Sequence, residues 1–462
     1  MTAPAFPTPP APGSPAFPAP NSADVPQSPS AGARALQAQE VTAEQDNGVA
    51  GMLREIAGVG ADPTRGGFSR AGYSDADREL REWFAGHAEA RGLDLERDRN
   101  GMLWAWWNPG GSTADAVITG SHLDSVPGGG GYDGPLGVAS ALAAVDLLRS
   151  RSVVPERPIG IAVFPEEEGS RFGVACLGSR LMSGAISPER ALALTDGEGD
   201  TFAEALRRDG LDPAYLGPDP ERLARISSFV ELHVEQGRGL IDLYRPVAIA
   251  SSILGHGRWR VTVDGQGNHA GTTLMDDRRD PMVAAARMVV EIRDLARRTP
   301  DARATVGRLE PVPGGTNVIA SQVRFWIDIR HPDDLVTAAL VSEARDRVLA
   351  AAVEEGCRAE VREESLSPTV DFDRGLRDTL RATLADAPEL GTGAGHDAGV
   401  LAASLPTAML FVRNPTGISH SPEELVEDAD AEVGAVALAD VLQGLAAPGA
   451  GVAADTRHMM AR

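Results

Sequence analysis

The chain has 462 residues, enough for two or three domains, and its 42% hydrophobic content supports substantial cores. A net charge of −23 argues against nucleic acid or anionic membrane as a partner, and no apolar run is long enough to span a bilayer. Two distant cysteines exclude a disulfide framework and a thiolate-rich zinc site, and the 43 basic residues are all arginine, which removes Schiff-base, phosphate-loop and Ser-Lys chemistry.

Residues 1–45 are rich in Pro, Ala and Ser, and lack the basic start and continuous apolar core of a secretory signal. They read as a disordered tail on a soluble, cytoplasmic protein. A capping serine and helical spacing predict a helix over 74–91, followed by strands near 102–107 and 116–121. Proline in the first turn predicts a helix over 135–150, and apolar runs predict strands at 158–164 and 229–234. Apolar strands alternating with helices imply an α/β fold with a mostly parallel sheet covered on both faces.

Farther along, residues 259–264 alternate like a half-exposed strand. A helix at 281–298, strands at 303–309 and 322–330, a helix at 333–355 and a strand at 358–364 complete a β-α-β-β-α-β order, the ferredoxin-like pattern. The α/β pattern resumes with a helix near 374–386, a strand at 407–412 and a helix near 430–445. The expected organisation is one α/β domain over 46–250 and 366–447, interrupted by an α+β domain over 251–365, with a flexible tail over 448–462.

Polar residues collect where these strands end. His122, Asp124 and Asp133 lie in SHLDSVPGGGGYDG, and Glu166, Glu167 and Glu168 follow the strand IAVF. His233, Glu235 and Gln236 stand in ELHVEQG, and His420 in GISHSPEE. The C-terminal edge of an open α/β sheet is where ligands bind. A convergent His/Asp/Glu set without cysteine suits a divalent metal, and the set is large enough for two ions bridged by one carboxylate. An adjacent carboxylate that is not a ligand can then act as base. The stretch GGGYDG also fits the dinucleotide pattern G-x-G-x-x-G, but Asp133 intrudes and no acidic residue ends a second strand at the required distance.

Taken in order, SHLDSVPGGGGYDGPLGV, EEEGSRF, HVEQG, NHAGTT, TNVI, DIR, GAGHDA and SHSPEE make the chain resemble the hydantoinase/carbamoylase subfamily of dinuclear-metal, aminoacylase-like amidohydrolases from about residue 50 to residue 445. That resemblance implies two divalent ions per subunit, zinc or manganese first and cobalt or nickel as alternatives. His122 and His233 would hold one ion, Glu168 and His420 the other, and Asp133 would bridge them. It further implies Glu167 as general base, Asp124 as the carboxylate orienting His122, and an inserted domain that both closes over the site and forms a homodimer. His269 would steady the oxyanion, while Gln236, Asn317, Arg330 and Gly395 would contact a small ureido or carbamoyl substrate carrying a carboxylate. Arg258 in LGHGRWRV resembles the arginine-bearing version seen in allantoate amidohydrolases, so the expected reaction is allantoate to ureidoglycine, ammonia and carbon dioxide. N-carbamoyl-L-amino acids and N-carbamoyl-β-alanine are the alternative substrates, and a catalytically silent binding protein is the rival from another class.

Overall fold

The computed structural model describes residues 48–447, so the tails expected at 1–45 and 448–462 lie outside the described residues. The strands are β1 (Asp94–Arg97), β2 (Leu103–Trp107), β3 (Ala116–His122), β4 (Ile159–Phe164), β5 (Ile226–Val234), β6 (Val247–Ile253), β7 (Gly255–Asp264) and β8 (Asn268–His269). They continue with β9 (Arg303–Val312), β10 (Val318–Ile319), β11 (Gln322–His331), β12 (Arg358–Ser367), β13 (Val370–Asp371), β14 (Glu389–Thr392) and β15 (Thr407–Val412). The helices that build the layers are α1 (Asp75–Ala90), α2 (Pro135–Ser150), α3 (Leu177–Ser183), α4 (Pro281–Arg298), α5 (Asp334–Glu354), α6 (Arg374–Thr383), α7 (Asp397–Leu401) and α8 (Asp428–Leu445).

The larger sheet runs β1-β2-β4-β3-β5-β15-β6-β13, with β14 beside β6. Its centre, β4-β3-β5-β15, is parallel, as the apolar runs predict. The edges differ: β1 and β2 on one side and β6 and β13 on the other pair antiparallel. The turn between Arg97 and Leu103 is too short for the crossover that a parallel pair requires.

Both faces of this sheet are covered, which is why its central strands are apolar throughout. On β4, Ile161 and Val163 face the layer that includes α1, α2, α6 and α8, whereas Ala162 and Phe164 face the layer that includes α3 and α7. Helix α2 is buried at every residue from Pro135 to Val145, because it lies between the sheet and α8. Gly120, at φ 143°, lets β3 approach β4; a side chain there would run into the Ala162 carbonyl.

A separate antiparallel sheet has the order β12-β7-β11-β9, and α4 and α5 cover one face of it. Trp259, Val261 and Val263 of β7 and Val323, Phe325, Ile327 and Ile329 of β11 turn towards those helices. The alternate residues, among them Arg258, Asp328 and Arg330, turn the other way. Between these elements β8 and β10 form a two-residue ribbon that pairs His269 with Val318. Among the described residues, no helix is long and apolar enough to cross a membrane.

Candidate active site

The four parallel strands end together, and their register aligns His122 with Phe164 and His233 with Phe411. His122 is the last residue of β3, and the chain returns to it through the glycine-rich loop that precedes α2. Gly134, at φ 85°, makes that return possible: a Cβ there would lie 2.5 Å from the His122 ring. Asp133 is thereby held against both histidines. Its Oδ1 lies 3.4 Å from His122 Nε2 and 3.2 Å from His233 Nε2, and its Oδ2 lies 3.4 Å from His420 Nε2. Glu168 Oε2 completes the second group at 3.5 Å from the same His420 nitrogen.

Two three-residue groups able to hold a metal ion therefore share Asp133: His122/Asp133/His233, fully buried, and Asp133/Glu168/His420, more open. The donor atoms fit an ion better than they fit each other. Ligands about 2.1 Å from a tetrahedral ion stand about 3.4 Å apart, longer than an ordinary hydrogen bond. Consistently, His233 Nε2 and Glu168 Oε1 are buried with no hydrogen-bond partner. Each buried histidine also spends its Nδ1 on a carbonyl, His122 on Asp124 O and His233 on Val234 O, both at 3.0 Å, which turns Nε2 towards Asp133.

The three glutamates divide the work. Glu166, at φ 54°, turns back to accept the backbone N–H groups of Arg171 and Phe172, and so holds the turn. Glu167 places Oε2 3.8 Å from His122 Nε2, while its Oε1 accepts the Cys176 thiol at 3.2 Å. Asp124 differs in detail from the expected role. His122 bonds its carbonyl oxygen, while its carboxylate, 3.7 Å from His122 Nδ1, accepts the backbone N–H groups of Glu167 and Glu168, each at 3.1 Å. Asp124 therefore fixes the backbone of Glu167 and Glu168 and also stands beside the imidazole.

Gln236 donates to Asp133 Oδ2 at 2.8 Å, and its Oε1 is buried without a partner. The residues expected to reach the site from the inserted domain stand elsewhere. His269 and Asn317 are exposed, and no hydrogen bond or ion pair among the described residues links either side chain to the shared-carboxylate groups. Arg330 is already engaged by Asp328 and by the Gly393 carbonyl, and Arg258 lies 3.4 Å from the same Asp328. Gly395 borders open space, with nothing within 4 Å of a Cβ placed there.

Three further side chains stand against these groups. Glu424 accepts the Asp133 backbone N–H at 3.0 Å and the Ser419 hydroxyl at 2.8 Å, so the SHSPEE segment braces the shared carboxylate as well as carrying His420. Cys176 braces Glu167. His396 places its ring 4.4 Å from that of His233, and its Nε2 is buried without a partner. His396 stands in GAGHDA and Glu424 in SHSPEE, whereas none of the motifs contains Cys176.

The electrostatics favour a cation. Burial, reinforced by Asp397, Glu168 and Asp124 and opposed by His122, holds the Glu167 carboxyl well above its usual range. Burial and Asp133 push Glu168 up to about 7, and the facing Asp133 carboxylate pushes His420 up to about 9. For His122 burial opposes the charged form, but Glu167, Asp133 and Asp124 outweigh it. All of these groups have raised folded values, so the stability they contribute is present at low pH and lost as pH rises through about 7 to 9. Chelator-treated protein is expected to melt at a lower temperature at pH 9 than at pH 6. A divalent ion should raise the melting temperature more at pH 9, where it no longer competes with protons on imidazole. Thermal unfolding with and without the ion checks both signs.

Comparison with known proteins gives the family. Residues 118–444 match the family model described as Peptidase family M20/M25/M40. The chain is 37% identical over 401 residues to N-carbamoyl-L-amino acid amidohydrolase of Geobacillus stearothermophilus, covering 84% of this chain and 95% of that protein. It is 33% identical over 399 residues to allantoate amidohydrolase of Escherichia coli (strain K12), covering 85% and 96%. The solved structure of a hydantoinase/carbamoylase family amidase from Burkholderia multivorans superposes with a TM-score of 0.75 at 32% identity, covering 85% of this chain and 96% of that one. With the matched residues running through all four strand ends that carry the acids and imidazoles, the chain belongs to the peptidase family M20/M25/M40 and is a hydrolase.

Proposed function

We propose that this chain hydrolyses a ureido carbon–nitrogen bond in a small substrate bearing a carboxylate, with allantoate as the first candidate, and that it does so with two divalent ions. The observation that carries this is the sharing of Asp133 between two ligand groups, with Glu167 beside them and outside both. His122 and His233 would hold one ion, Glu168 and His420 the other, and Asp133 both; zinc or manganese suits these donors first, with cobalt or nickel as alternatives. Bound ions there supply Lewis-acid polarisation and an acidified water at neutral pH.

The chain's own residues do the rest. Glu167 takes the proton of the attacking water on Oε2, the oxygen that Cys176 leaves free, and delivers it to the leaving nitrogen. Its raised proton affinity suits the second half of that transfer. Allantoate and one water would give ureidoglycine, ammonia and carbon dioxide, by way of a carbamate. Arg330 and Arg258 would meet the substrate carboxylate, Gln236 and Gly395 would border the ureido group, and His269 and Asn317 would reach it from the lid. The exposed positions of His269 and Asn317 fit a homodimer formed through residues 251–365, in which lid closure or a second copy brings them to substrate.

Similarity to allantoate amidohydrolase supports the first candidate, as does Arg258. The higher identity to N-carbamoyl-L-amino acid amidohydrolase favours a second reading with the same chemistry, and N-carbamoyl-β-alanine belongs beside it. Ammonia release from allantoate, set against release of the free amino acid from a panel of N-carbamoyl compounds, separates them. Turnover of allantoate alone is the expected result. Preference for an N-carbamoyl amino acid moves the assignment to the second reading, and binding without turnover across the panel overturns both.

A further inference from the structure

Asp328 lies on β11 between the two arginines that the ureido-hydrolase reading gives to the substrate carboxylate. Its Oδ1 accepts Arg330 Nε at 2.6 Å, and its Oδ2 accepts Arg330 Nη2 at 2.9 Å, a paired fork. Across the sheet Asp328 is in register with Arg258 on β7, whose Nε lies 3.4 Å from the same Oδ2. The third nitrogen of Arg330, Nη1, donates to the Gly393 carbonyl, at the start of the GAGHDA segment. Three of the five guanidinium N–H groups are thus taken. One remains on each terminal nitrogen, the pair that a second carboxylate needs.

Burial disfavours the Asp328 charge, but the Arg330 hydrogen bond and the charges of Arg330 and Arg258 outweigh it and keep the carboxyl below its usual range. His256, in register with Arg330, is held by burial below the usual imidazole range and adds no charge near neutrality. Two guanidinium cations and one carboxylate leave a single net positive charge.

We propose that Asp328 is a positioning and specificity-determining residue: it aims the free edge of Arg330 and limits the Arg258–Asp328–Arg330 group to one net positive charge, so that the site favours a substrate with one carboxylate over one with two. The inference rests on the ureido-hydrolase reading, because that reading supplies the ligand class. It adds what selects within the class. Without Asp328 the fork swings free and the group gains a charge, and these two consequences act differently on ligands of different charge.

The test is calorimetric titration of N-carbamoyl-L-alanine, with one carboxylate, and N-carbamoyl-L-aspartate, with two, into metal-loaded Glu167→Gln protein, so that neither ligand is consumed. Adding Asp328→Asn is expected to weaken N-carbamoyl-L-alanine about tenfold and to shift the ratio of the two dissociation constants about fivefold towards N-carbamoyl-L-aspartate. Adding Arg258→Gln instead should shift the ratio the opposite way. A purely structural role would weaken both ligands alike, so a ratio unchanged in both variants overturns the proposal, as does failure of the parent protein to bind either compound. Loss of the ureido-hydrolase reading would show separately, as absence of turnover by the unsubstituted enzyme.

Discussion

Glu167→Gln is expected to lower turnover about a thousandfold while leaving the metal content unchanged. The two outcomes separate because of where Glu167 sits. Its carboxylate is outside both ligand groups, one oxygen held by the Cys176 thiol and the other facing His122. An amide keeps the shape and still accepts from Cys176, but it cannot carry a proton from water to the leaving nitrogen. Burial gives the wild-type carboxyl a high proton affinity, so the change removes the one group next to the ligand groups suited to hold that proton and then release it. Metal analysis beside steady-state kinetics checks the prediction. Substantial remaining activity would move the base elsewhere, and loss of metal would make Glu167 a ligand.

The second large effect is expected at Asp133. Asp133→Ala should empty both metal positions together, whereas His420→Ala should affect chiefly the one it lines. Asp133 is the only residue common to the two groups, with Oδ1 facing His122 and His233 and Oδ2 facing His420. Even a residue that only supports a ligand costs about 10- to 100-fold in affinity, so losing the shared ligand should weaken each position by more than about a hundredfold. The Ala variant also leaves His122 and His233 facing each other in a buried space with no carboxylate between them. Metal titration by calorimetry distinguishes the patterns: loss of one position only would mean that Asp133 does not bridge.

Much of this site is legible in the sequence because it is local to strand ends. A buried apolar run that closes on His122, or breaks into Glu166-Glu167-Glu168, announces where the backbone stops and the chemistry begins. The parallel order of β4, β3, β5 and β15 then puts those ends on one edge, as the alternation of strands and helices implies. The second sheet follows its predicted strand and helix order for the same reason, since its alternating patterns are strong. What escaped is which side chain meets which. Cys176 is only nine residues from Glu167, yet no pattern pairs them, and Glu424 stands in SHSPEE beside His420 but meets Asp133, 291 residues away. The antiparallel edges escaped too, because apolar character marks a strand as buried but does not give its direction. Arg330 shows the limit most clearly: expected from its place in DIR to clamp a substrate carboxylate, it is gripped by the Asp of the same motif, two residues away on the same face of β11.

Equilibrium dialysis of chelator-stripped protein against manganese or zinc, with ammonia release from allantoate and the N-carbamoyl compounds followed at each loading, joins the shared-carboxylate geometry to the chemistry in a single series. The expected result is two ions bound per chain and turnover of a ureido compound that appears only with metal and vanishes in Glu167→Gln. Turnover undiminished in fully stripped protein, or saturation at one ion with full activity, would contradict a two-metal site bridged by Asp133.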